Sequence, residues 1–121
     1  MTPQQLVHTI VTAATEVKAI DSQVLDLRKL ASFTDYFVIA SGRSDRQVQA
    51  IADRILEITA AQKEKPIGVE GYESGHWILI DFGAVVAHIF YQETREFYGL
   101  EQLWSDAPRL ELETGAQEAS S

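Results

Sequence analysis

Asp81 and His88 are the side chains here best suited to acid–base chemistry, since a carboxylate beside an imidazole can hold a general base near neutral pH. Both fall in residues 77–91, which read as two strands joined by a two-residue loop, Gly83-Ala84, with glycine supplying the positive φ such a turn needs. That register sets Phe82 opposite Val85, Asp81 opposite Val86, Leu79 opposite His88 and Trp77 opposite Phe90. Side chains alternate across a strand. Ile78, Ile80, Phe82, Val85, Ala87, Ile89 and Tyr91 therefore share an apolar face, while Trp77, Leu79, Asp81, Val86, His88 and Phe90 share a mixed one. The mixed face carries no serine, threonine or cysteine to serve as nucleophile. Aromatic anchors ringed by polar groups suit a contact surface; alternatively, Trp77 and Phe90 are core beneath a layer from the C-terminal segment, where Phe97 and Trp104 supply apolar cover.

Other chemistries find fewer residues. His76 and His88 have opposite parity in the hairpin and His8 lies far off in sequence, so no set of ligands converges and no metal is expected. The absence of cysteine excludes disulfides, thiolate zinc sites and thiol nucleophiles. Gly42-Arg43-Ser44 before a helix could cradle an anion, or Ser44 could simply cap that helix. Metal-assisted nucleotidyl transfer needs two or three converging carboxylates, and the following strand offers Glu70 alone. No catalytic residue and no cofactor is expected, so the chain is read as a non-enzyme. A formal net charge of −8 disfavours binding to a phosphate backbone and favours a basic protein surface as partner.

The elements that must position these residues follow from periodicity. With 121 residues and 45% hydrophobic content, one domain is expected. Thr2-Pro3-Gln4-Gln5 opens a helix with a reciprocal cap, and Leu6, Val7, Ile10, Val11, Ala14, Val17 and Ile20 form its stripe. A short strand at 24–27 precedes a near-continuous apolar run at 36–41, the mark of a central strand. Ser44-x-x-Gln47 reads as a second capping box for a helix from Asp45 to about Lys63, with Val48, Ile51, Ala52, Ile55, Ile58 and Thr59 on one face. A strand at 67–71, the hairpin, and one or two helical turns at 94–104 complete the domain, with Phe97, Leu100, Leu103 and Trp104 expected inward. The fold expected is α/β, a mixed sheet of about five strands with both long helices on one face and a parallel crossover between residues 36 and 71. The domain is expected to span 1–112, with 113–121 a disordered acidic tail. No apolar span long enough to cross a membrane and no signal or transit peptide is evident, so a cytoplasmic location is expected.

These residues also resemble the ribosomal silencing factor family, called RsfS or Iojap-like. The matching blocks are Leu25-Asp-Leu27, Thr34-Asp-Tyr-Phe-Val-Ile-Ala-Ser-Gly42, Ser44 with Gln47-Val48 and Ala50-Ile51-Ala52, Glu70-Gly71, Trp77-Ile-Leu-Ile-Asp-Phe-Gly83, Val85-Val86 with His88-Ile89-Phe90, and Arg95-x-Phe-Tyr98 running into Leu100-Glu101-x-Leu-Trp104. The resemblance implies a nucleotidyltransferase-like sheet without the catalytic carboxylates. It also implies a protein that binds the fourteenth protein of the large ribosomal subunit, keeps the small subunit from joining, and lowers translation when nutrients are short or in stationary phase. Homodimers are implied when the ribosome is absent. On that basis Trp77, Leu79, Asp81, His88 and Phe90 are the expected partner contacts, with Tyr98, Glu101 and Trp104 extending the surface or supporting it from behind. Trp77→Ala is expected to weaken binding with little loss of stability. Ala84 and Ala87 depart from the family pattern, the first removing an acid at the hairpin tip, the second altering packing on the core face. The rival reading is a vestigial nucleotide-handling enzyme using Gly42-Arg43-Ser44 with Glu70.

Overall fold

The computed structural model of the chain describes residues 1–111. The first helix, α1 (Pro3–Glu16), starts on the expected reciprocal cap, in which Thr2 Oγ1 accepts from Gln5 N–H at 3.1 Å and Gln5 Oε1 accepts from Thr2 N–H at 2.8 Å. It stops at Glu16, short of the Ile20 that the apolar stripe suggests. Lys18 adopts φ 62°, and Ala19 N–H and Lys18 N–H close back on the carbonyls of Ala14 and Thr15 at 3.0 and 2.9 Å. That paired closure is a Schellman ending with lysine in the place glycine usually takes, and it turns the chain directly into β1 (Ile20–Asp26).

β2 (Tyr36–Gly42) is buried along its whole length, as its apolar run requires. α2 (Asp45–Ala61) is capped by Ser44 Oγ, which accepts from Gln47 N–H at 3.1 Å. The second half of the expected box does not form. Gln47 instead accepts from Arg43 N–H through Oε1 at 2.6 Å and donates through Nε2 to the carbonyls of Val17 and Lys18 at 3.2 and 3.1 Å, satisfying the end of α1. The chain continues through β3 (Gly68–Glu70), β4 (Trp77–Asp81), β5 (Val85–Tyr91), α3 (Gln92–Tyr98), α4 (Leu100–Leu103) and β6 (Arg109–Leu110).

The six strands form one sheet in the order β3-β4-β5-β2-β1-β6, in which β2 and β5 pair in parallel and every other pair is antiparallel. The sixth strand, absent from the expected set, pairs Leu110 with Val24 and Arg109 with Leu25. The chain does cross over from β2 through α2, but β3 lands at the sheet edge, where all three of its residues are exposed, and β5 takes the place beside β2. A strand buried on both sides belongs in the centre, and β5 is buried from Val85 to Phe90.

Both long helices lie on one sheet face, as expected, sealing Val38, Ala40, Ile78, Ile80, Val85, Ala87 and Ile89 against Ile10, Ala14, Ile51 and Ile55. Ala87 is fully buried there, where the hairpin register puts it. The opposite face holds a smaller cluster of Leu25, Leu27, Phe37, Ile39, Val86, Phe90 and Ala107, with Trp77, Leu79, Leu100 and Trp104 packed at its margin. The tail expected at 113–121 lies outside the described residues.

Candidate partner-binding face

The hairpin forms in the expected register, with Trp77↔Phe90, Leu79↔His88 and Asp81↔Val86. Phe82 N–H donates to Val85 O at 2.9 Å across the two-residue turn, and Gly83 takes φ 90°. Asp81 and His88 do share a face, but they do not work as a pair. Asp81 Oδ1 accepts the Gly83 N–H at 2.7 Å, an Asx-type bond that holds the turn. His88 Nδ1 accepts the indole N–H of Trp77 at 3.1 Å. Only 4% of His88 is exposed, and burial holds its pKa down at about 4. The imidazole is thus neutral near pH 7 with its proton on Nε2, a buried group with no hydrogen-bond partner among the described residues. Its one lone pair is occupied, which removes the general-base reading.

Phe90 is fully buried, stacked under Trp77 with ring centroids 4.9 Å apart. Phe90 and His88 thus lie on the sheet face the register assigns them, but buried, with Phe90 beneath the Trp77 ring. The segment after β5 covers part of this sheet face, with Leu100 and Trp104 packed against the cluster beneath. Trp77, Leu79 and Asp81 are half-buried, and the Tyr98 ring lies 4.7 Å from Trp77 and is 53% exposed. Trp77 carries a hydrogen bond and three ring contacts, to His88, Phe90 and Tyr98, so its truncation removes packing within the fold as well as surface.

The C-terminal residues divide differently from expectation. Leu100 and Trp104 pack inward, the Trp104 ring lying 6.1 Å from those of Phe33 and Phe37. Phe97 and Leu103 point outward, 82% and 75% exposed. The cause is Gly99, at φ 60°, which breaks the segment into two short helices and rotates one stripe against the other. Glu101 is half-buried and bonded to Arg95 Nε at 2.7 Å, which lowers its pKa. Of the three C-terminal residues, Tyr98 is exposed beside Trp77, while Glu101 and Trp104 are half-buried. Sequence reasoning missed Phe33, which is 61% exposed in the connection before β2. Its only signal was an aromatic residue inside a polar loop. Ring contacts now run unbroken from Phe33 through Trp104, Phe37, His88, Trp77 and Tyr98 to Phe97. Glu93 and Glu96, in the same short helix as Phe97, and Asp106, two residues after Trp104, are exposed.

Gly42-Arg43-Ser44 makes no anion cradle, since Ser44 and Gln47 take up the N–H groups that would bind one and the Asp45 carboxylate lines the same shallow hollow. Glu70 stands on the exposed edge strand. Among the described residues no three histidine or carboxylate side chains gather to hold a metal.

The family described as ribosomal silencing factor during starvation, RsfS, matches residues 1–121. A ribosomal silencing factor RsfS from Halalkalibacterium halodurans is 40% identical over 93% of this chain and 97% of its own length. The mouse protein named mitochondrial assembly of ribosomal large subunit protein 1 is 32% identical over 79% of this chain and 43% of itself. A crystal structure from Chromobacterium violaceum superposes over the whole of both chains with a TM-score of 0.85 at 32% identity. A match along the entire sequence, together with a shared fold at this identity, places the chain in the ribosomal silencing factor family.

Proposed function

We propose that this chain binds the large ribosomal subunit through its fourteenth protein and sterically prevents the small subunit from joining, so that translation falls when nutrients are short. The observation that carries the reading is the aromatic ridge of exposed Phe33, Tyr98 and Phe97 with Leu103 and half-buried Trp77, on the side of the sheet that the long helices leave uncovered, with exposed Glu93, Glu96 and Asp106 close by in sequence. Exposed aromatic anchors supply affinity, and these carboxylates speed encounter with a basic ribosomal protein. Action by occupancy needs no reacting group, which agrees with an imidazole whose lone pair is spent on Trp77. Without a ribosome, a second copy of the chain covering the same ridge accounts for the homodimer this reading includes, and the site of action is the cytoplasm. No helix among the described residues is long and apolar enough to cross a membrane.

Trp77 and Trp104 both belong to the ring chain, so tryptophan fluorescence reports on the event. That fluorescence, titrated with purified fourteenth large-subunit protein, is expected to change and saturate, with an affinity that falls as salt screens the surface charges. An emission spectrum unchanged up to the solubility limit of the partner would end the assignment of this surface.

A further inference from the structure

α3 and α4 contain no buried residue, yet they hold Phe97, Tyr98 and Leu103 in place over the sheet. Short helices of this kind do not persist alone in water, so their pose depends on what ties them down. Arg95 supplies the polar tie. Its Nε donates to Glu101 Oε1 at 2.7 Å and one terminal nitrogen donates to Ser41 Oγ at 2.8 Å, joining α3 to α4 and to the end of β2. The Arg95 side chain is 12% exposed and Ser41 1%. A planar guanidinium fork is pre-organised to serve two acceptors in fixed directions; a lysine ammonium has three donors, but its flexible stem fixes neither direction.

We propose that Arg95 is a positioning residue, whose guanidinium docks the α3–α4 elbow on the sheet and thereby sets the pose of Phe97, Tyr98 and Leu103 toward the partner. This rests on the reading above for the identity of the partner, but not for the docking itself. Gly99, in the left-handed region between the two helices, is the pivot about which an unclamped elbow turns. The clamp borders a polar hollow of about 380 Å³ lined by Asp21, Gln92, Glu96 and Gln102. Water in that hollow can solvate Glu101 once Arg95 is gone, so loss of the clamp loosens the elbow without collapsing the sheet.

The test compares the full-length protein with Arg95→Met and Arg95→Lys, well below the melting transition, where each variant is folded. Amide exchange is followed for α3 and α4 separately from β2 and β5, and large-subunit binding is measured in parallel. Arg95→Met is expected to speed exchange in the elbow and to weaken subunit binding, each by at least roughly tenfold, while exchange in the central strands stays as it was. Arg95→Lys is expected to rescue neither fully. Ser41→Ala, which removes one acceptor and keeps the Glu101 bond, should fall between wild type and Arg95→Met. Unchanged elbow exchange in Arg95→Met overturns the proposal, as does a loosened elbow with undiminished binding. Should the wild-type protein fail to bind subunits, the proposed function falls, and the exchange data alone decide whether Arg95 docks the elbow.

Discussion

Replacing Trp77 with phenylalanine keeps a ring over Phe90 and deletes the one N–H that His88 Nδ1 accepts. His88 is only 4% exposed, so the lost bond has little access to water. A buried acceptor stripped of its donor costs about 1–3 kcal/mol, and we expect about 2 kcal/mol here. His88→Leu alone removes the stranded acceptor and the unpaired donor together; the half-buried indole N–H turns to water, and the cost stays below about 1 kcal/mol. In the double variant no acceptor remains to be stranded, so the two losses do not add, and the coupling expected is about 1–2 kcal/mol. Urea denaturation of the four proteins, with equal slopes as a check that the unfolded states match, measures it. Losses that sum to within about 0.3 kcal/mol would refute the claim that the Trp77–His88 bond organises this face.

Three further outcomes are expected. Burial holds the His88 pKa at about 4 against 6.5 in the unfolded chain. The folded state thus binds fewer protons between those values, and His88's contribution is full above about pH 6.5 and lost as pH falls toward 4, up to about 3 kcal/mol. Asp26 and Glu101, whose pKa values are lowered by Arg28 and Arg95, keep their contributions above the unfolded values of 3.8 and 4.5 and lose them as pH falls from there through the lowered folded values, at the acid end of this range and below it. Urea midpoints measured from pH 7 to 4 should therefore decline in the wild type and flatten in His88→Leu. Lys63→Gly relieves a left-handed residue at φ 63° in the closure of α2 and should raise stability by roughly 0.5–1 kcal/mol in thermal unfolding. Phe97→Ser and Leu103→Ser should leave the unfolding midpoint within about 0.5 kcal/mol of wild type while weakening large-subunit binding by at least about 1 kcal/mol each, as read by pelleting with the subunit.

The parts of this molecule legible in the sequence are those governed by a single strong period. The hairpin register could be written down because alternation with period 2 and a glycine at the turn leave no second solution, and both long helices declared their caps and stripes. Where two local rules compete, the sequence was silent. The stripe of α1 continues through Val17 to Ile20, but Lys18 accepts a left-handed conformation and ends the helix first. Gln47 satisfies a capping-box pattern yet finds better acceptors at the end of α1, thirty residues away for Val17. In the elbow the interruption at Gly99 was visible, but its rotation of Phe97 and Leu103 outward was not, since two short turns define no common face. Asp81 and His88 were placed on the right face, and their actual partners, a turn amide and an indole, were within reach of the same register. Burial of Phe90 and His88 could not be read from the hairpin alone, because it depends on the segment after β5 covering part of that sheet face.

The measurement that bears most directly on the account is sedimentation of purified ribosomal subunits through a sucrose gradient at fixed magnesium, with and without this protein, each fraction being probed for it. The account predicts that the protein travels with free large subunits and that whole ribosomes diminish as it is added. Whole ribosomes undiminished, with the protein left at the top of the gradient or riding on the joined particles, would contradict it.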